Sequence, residues 1–220
     1  MNKLLLSRPA LILLYGFPGA GKTYFARQLC DDISAAHVHD DRINHELFEK
    51  PRFDRRENEV VLNMMLYMTE QFLNSGVSVV FDMNASRLGQ RRVLRDMARK
   101  LKAEPILIWL QIDTESAFSR VVSRDKRKAD DRYATSMDRS TFDQRTSLMQ
   151  NPAITEEYIV ISGKHNYTTQ RTNLIKKLYD LGLLDAASAI AGRVKPGLVN
   201  LIPNPAAGRV DNSRRNIVIR

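Results

Sequence analysis

The chain has 220 residues, 43% of them apolar and 27% charged, with 34 basic against 25 acidic side chains and a net charge of +9. That length suits one domain with an appendage, and the lack of any apolar run approaching about 18 residues excludes a membrane span. The basic excess favours an anionic partner, nucleic acid or a phosphorylated metabolite, and a single cysteine, Cys30, excludes an intramolecular disulfide and suits a reducing, cytoplasmic setting.

Arg8 and Pro9 interrupt the apolar start, so it does not read as a secretion leader. Residues 10–15 read as a buried strand, and a helix is expected from Lys22 to about Ser34, with Cys30 packed inside it. A short strand at 36–39 and a short helix at 42–49 follow, stopped by Pro51. A longer helix at 54–74 carries Val61, Met64, Met65, Met68 and Phe72 at close to helical spacing, which reads as core filling by methionine. Residues 77–81 form a strand ending at Asp82, and 86–102 a very basic helix. A strand at 105–112, helices at 114–128 and 138–149, a fifth strand at 158–162 and a helix at 168–183 complete the pattern.

Strands alternating with helices predict an α/β fold, a five-stranded parallel sheet covered on both faces in three layers. Ligands of such sheets lie beyond the C-terminal strand ends. Gly16, Asp41 and Asp82 each stand just past such an end and are expected to converge. The expected organisation is one domain over 1–189, with a helical lid near 120–137, and a basic tail over 190–220. The tail holds Pro196, Pro203 and Pro205, and six basic residues against the single acid Asp211.

Gly16-Phe17-Pro18-Gly19-Ala20-Gly21-Lys22-Thr23 fits G-x-x-x-x-G-K-[ST] between a buried strand and a helix start. Glycines let the backbone turn tightly and approach a phosphate, so that several N–H groups point inward at a helix N-terminus. Gly16, Pro18, Gly19, Ala20, Gly21, Lys22, Thr23 and Tyr24 are therefore the expected nucleoside triphosphate contacts. Lys22 would neutralise the β- and γ-phosphates, and the Thr23 hydroxyl would join Mg²⁺. His37, His39, His45 and His165 show no metal-ligand spacing with the cysteine or with one another, so a Zn²⁺ centre is not expected.

Two further segments narrow the class: His39-Asp40-Asp41-Arg42-Ile43-Asn44-His45-Glu46-Leu47 and Phe81-Asp82-Met83-Asn84. With the phosphate loop, they resemble the P-loop kinase group that contains polynucleotide 5′-kinases and zeta-toxin-like kinases, over residues 10–180. The resemblance implies ATP and Mg²⁺ as cofactors and Asp41 as general base, with Asp40 its rival. The group's acceptor-gripping arginine falls on Asn44, so either Arg42 takes that contact or the acceptor carries no phosphate there. Asp82 is implied to order the acceptor or the metal, with Asn84 beside it. A mobile lid is implied to supply cations to the travelling phosphoryl group, and Arg124 and Arg127 are the candidates.

Arg87, Arg91 and Arg95 share one helix stripe starting beside Asn84, a track that a nucleic-acid strand would follow. The leading expectation is therefore transfer of the γ-phosphoryl group of ATP to the 5′-hydroxyl of a polynucleotide. A small-molecule kinase, and a nucleic-acid or protein-binding module switched by ATP, are the alternatives.

Overall fold

The computed structural model describes residues 3–127 and 132–184. The expected tail at 190–220, and part of the lid, lie outside the described residues. Five strands, β1 (Ala10–Tyr15), β2 (Ala36–His39), β3 (Val79–Asn84), β4 (Glu104–Gln111) and β5 (Ile159–Ser162), form one parallel sheet in the order β2-β3-β1-β4-β5. The helices are α1 (Lys22–Ile33), α2 (Asp40–Leu47), α3 (Arg55–Asn74), α4 (Leu88–Lys100), α5 (Thr114–Val122), α6 (Arg139–Ser147) and α7 (Tyr167–Asp180).

β1 lies at the centre and is buried along its whole length, which is why it reads as an unbroken apolar run. Its side chains alternate between the two cores. Ile12 and Leu14 join Phe25 and Leu29 of α1 and Leu174, Ile175 and Leu178 of α7 on one face. Leu11, Leu13 and Tyr15 join Val61 and Met65 of α3 and Leu94 and Ala98 of α4 on the other. Met65 is fully buried as expected, but Met64 is 38% exposed, one position round the helix from the core-facing stripe. Cys30 is buried in α1.

Asp54, Asp113, Asp138 and Asn166 cap α3, α5, α6 and α7, each side chain accepting the N–H three residues on. α2 begins at Asp40, earlier than expected, which puts Asp40 and Asp41 in its first turn, where the helix dipole favours carboxylates. α5 stops at Val122 rather than near residue 128, because the charged stretch that follows offers no apolar face. A third, smaller core of Ala117, Val121 and Phe142 packs against Phe17, tying α5 and α6 to the phosphate loop.

Candidate active site

The C-terminal ends of β1, β2 and β3 open on one cavity of about 700 Å³. Neighbours in the sheet, β1 and β3 shift register after Leu13, so that Leu14 pairs with Asn84 rather than Asp82. The extra length carries Asn84 to the phosphate loop, where its Oδ1 accepts a long hydrogen bond of 3.4 Å from the Gly16 N–H.

The loop is held tight by its packing. Gly19 has φ +82°, and a Cβ there would lie 2.2 Å from the Ala117 carbonyl oxygen. Gly21, φ +92°, is the N-cap of α1 and supplies no side-chain cap, and no acidic residue occupies the first turn. The first-turn N–H groups are thus left for an external anion, unlike those of the Asp- or Asn-capped helices. Lys22 Nζ donates to the Gly16 and Phe17 carbonyls at 2.9 and 3.0 Å. Burial pushes its pKa down to about 8 against the pull of Asp82 and Asp40.

Three carboxylates face the loop with different environments. Burial, then the neighbouring Asp41 and Asp82 charges, raise Asp40 well above the usual carboxylate range. Asp40 Oδ1 accepts the Asp41 N–H at 2.7 Å. Burial also raises Asp41, against the nearby His39. Asp82 is only 3% exposed, yet its pKa is lowered: burial opposes ionisation, but the 2.9 Å hydrogen bond from His37 and the charges of His39 and Lys22 outweigh it. Environments that drive neighbouring carboxylates apart allow them different chemical roles.

The cavity brings together Pro18, Gly19, Ala20, Gly21, Lys22, Thr23 and Tyr24 with Asp41, Asp82, Asn84, Arg87 and Arg124. Arg124 donates to the Thr135 carbonyl at 2.7 Å. Other expected residues lie elsewhere. Arg127 is 92% exposed along its side chain and pairs with Asp125. Arg42 points outward toward Glu46. Asn44 is buried, its Oδ1 without a hydrogen-bond partner.

The basic stripe is corrected most. Arg91 is fully buried, pairing with Glu156 at 2.7 Å and donating to the Ala85 and Gln150 carbonyls. Arg95 turns to the same Glu156 at 2.9 Å and to the Glu157 carbonyl. Helix phase alone placed these arginines on one line, but their counter-ion comes from a segment some sixty residues on. Among the described residues, Arg87 alone of the three reaches the cavity.

Other cavity residues went unassigned. Arg120 donates to the Gly163 carbonyl at 2.8 Å, and a Cβ on Gly163 would lie 2.8 Å from the Ala20 carbonyl oxygen, so the turn after β5 closes directly on the phosphate loop. The four-residue spacing of Arg120 and Arg124 was the available signal. Arg145 of α6 also lines the cavity and had no such signal. Tyr133 packs on His39 and His45, with ring centroids 6.4 and 5.5 Å apart, so the segment between α5 and α6 reaches across to β2 and α2.

Comparison with known proteins agrees with this geometry. No curated protein matches the sequence. Among solved structures, Kti12 of Chaetomium thermophilum in complex with ADP-AlF3 is 16% identical with a TM-score of 0.61, covering 80% of this chain and all of that one (100%). A gluconokinase from Sinorhizobium meliloti is 15% identical with a TM-score of 0.57, covering 79% of this chain and 93% of its own. The Mycobacterium tuberculosis APS kinase CysC, in complex with AMPPNP and APS, is 17% identical with a TM-score of 0.57, covering 78% and 98%. These likenesses show the fold alone, the α/β architecture with a five-stranded parallel sheet. No helix among the described residues is long and apolar enough to cross a membrane. The family model described as AAA domain matches residues 11–152, from the first strand and the phosphate loop through α6, and the chain belongs to that family of P-loop proteins.

Proposed function

We propose that this chain is an ATP- and Mg²⁺-dependent kinase acting on the hydroxyl of a small-molecule acceptor. The observation that carries the reading is the convergence of an uncapped, glycine-turned helix start bearing Lys22 with Asp41 and Asp82 in one cavity. A cavity of about 700 Å³ is in the range of small-ligand sites.

In this reading the loop amides and Lys22 bind the β- and γ-phosphates, and the buried ammonium finds its counter-charge in the triphosphate. The Thr23 hydroxyl and Asp82 are the residues that would hold Mg²⁺, which supplies charge neutralisation on the phosphates when bound. Asp41, with its raised pKa, takes the proton of the acceptor hydroxyl, and Asp82 stays ionised beside it. Arg124 and Arg120 stand where cations would stabilise the travelling phosphoryl group. Arg87 and Asn84 line the acceptor end.

A small acceptor is favoured over a polynucleotide by two things. The arginine track expected to guide a strand is consumed by Glu156. The gluconokinase and the APS kinase among the structural neighbours bear names of small-molecule kinases.

The test is incubation with labelled ATP and a panel of sugars, nucleotide sugars, nucleosides and 5′-hydroxyl oligonucleotides. Label is expected on a small hydroxyl compound. Asp41→Asn is expected to lower turnover by at least about a hundredfold while leaving ATP affinity within about twofold. Label on oligonucleotides alone, or full turnover in Asp41→Asn, would sink the reading.

A further inference from the structure

His37 and His39 sit two apart on β2, so both side chains leave the same face of the strand. β2 pairs with β3 in parallel, with His39 directly opposite Asp82 and His37 opposite Val80. The ladder therefore sets both imidazoles against one carboxylate without help from any loop. The two rings stack nearly parallel, 3° between planes and 5.3 Å between centroids. His37 Nε2 lies 2.9 Å and His39 Nε2 3.8 Å from the same oxygen, Asp82 Oδ2. All three donor atoms lie within 4.8 Å of one another.

His39 gives the arrangement its second observation. Its side chain is only 9% exposed, yet Nε2 stands 3.8 Å from Asp82 and 3.9 Å from Asp40, both beyond hydrogen-bond length. His39 also lines the cavity, so this nitrogen stands between two carboxylates, bonding neither, where an ion entering from the cavity would bridge them. In a tetrahedral zinc site, with ligand bonds near 2.0–2.1 Å, neighbouring donors stand about 3.3 Å apart. The two separations here bracket that value.

We propose that His37, His39 and Asp82 form a site for a borderline divalent ion of the zinc class, three protein ligands with the fourth position open to the cavity. Two nitrogens and one carboxylate select Zn²⁺ or Co²⁺ over Mg²⁺, which prefers oxygen and retains its waters. His37 Nε2 gives up its hydrogen bond to Asp82 and binds as the tautomer protonated at Nδ1. The histidine spacing along the chain does not reveal the site, because the third ligand arrives from β3. An ion held here engages Asp82, so it would compete with Mg²⁺ for that carboxylate and slow phosphoryl transfer. This last consequence rests on the kinase reading, whereas the site itself does not.

The test uses the full chain, stripped of metal and without nucleotide. Co²⁺ is titrated and followed by the visible absorption of tetrahedral cobalt, and Zn²⁺ binding is measured by equilibrium dialysis. One ion per chain is expected, with the cobalt spectrum abolished by stoichiometric Zn²⁺ and untouched by millimolar Mg²⁺. His39→Ala is expected to weaken binding by about a hundredfold or more. His37→Ala, on the edge strand and partly exposed, should do the same without disturbing the fold, while His45→Ala should leave binding unchanged. Unaltered binding in both β2 variants, displacement by Mg²⁺, or no binding at micromolar Zn²⁺ would overturn the assignment. Because binding is read without turnover, failure of the kinase reading would leave this result standing.

Discussion

Lys22 brings a positive charge into a half-buried position where its ammonium donates to two carbonyls of its own loop. Its pKa of about 8 lies below the ordinary lysine value of 10.5, with burial the first cause. The sign follows directly. Between those two values the unfolded chain holds a proton that the folded chain has lost, so stability rises with pH across that window. Below about pH 8 the folded protein carries the charge at a cost of at most about 3 kcal/mol, less in practice because the site is not sealed from water. A bound triphosphate removes the penalty by supplying the missing counter-charge. Lys22→Met is therefore expected to raise the melting temperature of the nucleotide-free protein at pH 7 while abolishing ATP binding. It should also flatten the stability difference between pH 8 and pH 10 relative to the parent. Thermal melts with and without MgATP check both, and a lowered melting temperature would mean that the two carbonyl contacts outweigh burial.

At the level of elements, the segment after α6 does most to reassign the basic helix, because it runs back over β3 and α4 and is pinned by Glu156. Arg91 and Arg95 both bind this carboxylate, and the Ala153 N–H donates to it as well. Arg91 Cζ also lies 5.6 Å from the Tyr15 ring centroid, linking the pin to the central strand. Breaking a buried pair from one side costs up to about 3–5 kcal/mol, and here Arg95 and the Ala153 N–H keep Glu156 partly compensated, so that figure is a ceiling. Arg91→Ala is thus expected to lose up to that much in urea denaturation, whereas Arg87→Ala should change stability by less than about 0.5 kcal/mol. If Arg91 instead served the acceptor, its loss would raise KM with little change in the unfolding midpoint.

The contrast also marks what a single sequence can carry. The strands, the phosphate loop and the approximate helices were legible because period and turn chemistry are local. So was the approach of the phosphate loop to Asp41 and Asp82, since a parallel sheet forces its C-terminal ends together, although Gly16 itself lies outside the lining of the cavity. Partnership across the fold was not legible. Nothing near Arg91 in the chain announces Glu156, and nothing near His37 or His39 announces Asp82. Those pairings come from strand order and from a returning segment, which hydrophobic periodicity does not encode. α2 starts before the expected residue 42 for a smaller reason: β2 runs straight into the helix and places both aspartates inside its first turn.

At the scale of the molecule, charge and fold separate. Residues 190–220 carry six basic side chains and one acidic one, so more than half of the +9 net charge belongs to a segment beyond the last core residues described, Leu183 and Leu184. The described strands and the described lining of the cavity all precede it in the chain, and the three carboxylates make the charge of that lining mixed rather than basic. General attraction to polyanions should therefore travel with the tail, and MgATP binding with the domain. Removing residues 190–220 is expected to leave ATP affinity within about twofold. Any oligonucleotide binding should become weaker and less steep in salt, the log–log slope falling by about 0.7–0.9 for every phosphate that the tail had neutralised. Titrations at several salt concentrations measure both quantities on the same preparations. A tenfold loss of ATP affinity on truncation would show that the tail completes the nucleotide site. An unchanged salt slope would place polyanion binding on the domain itself and reopen the case for a nucleic-acid acceptor at Arg87.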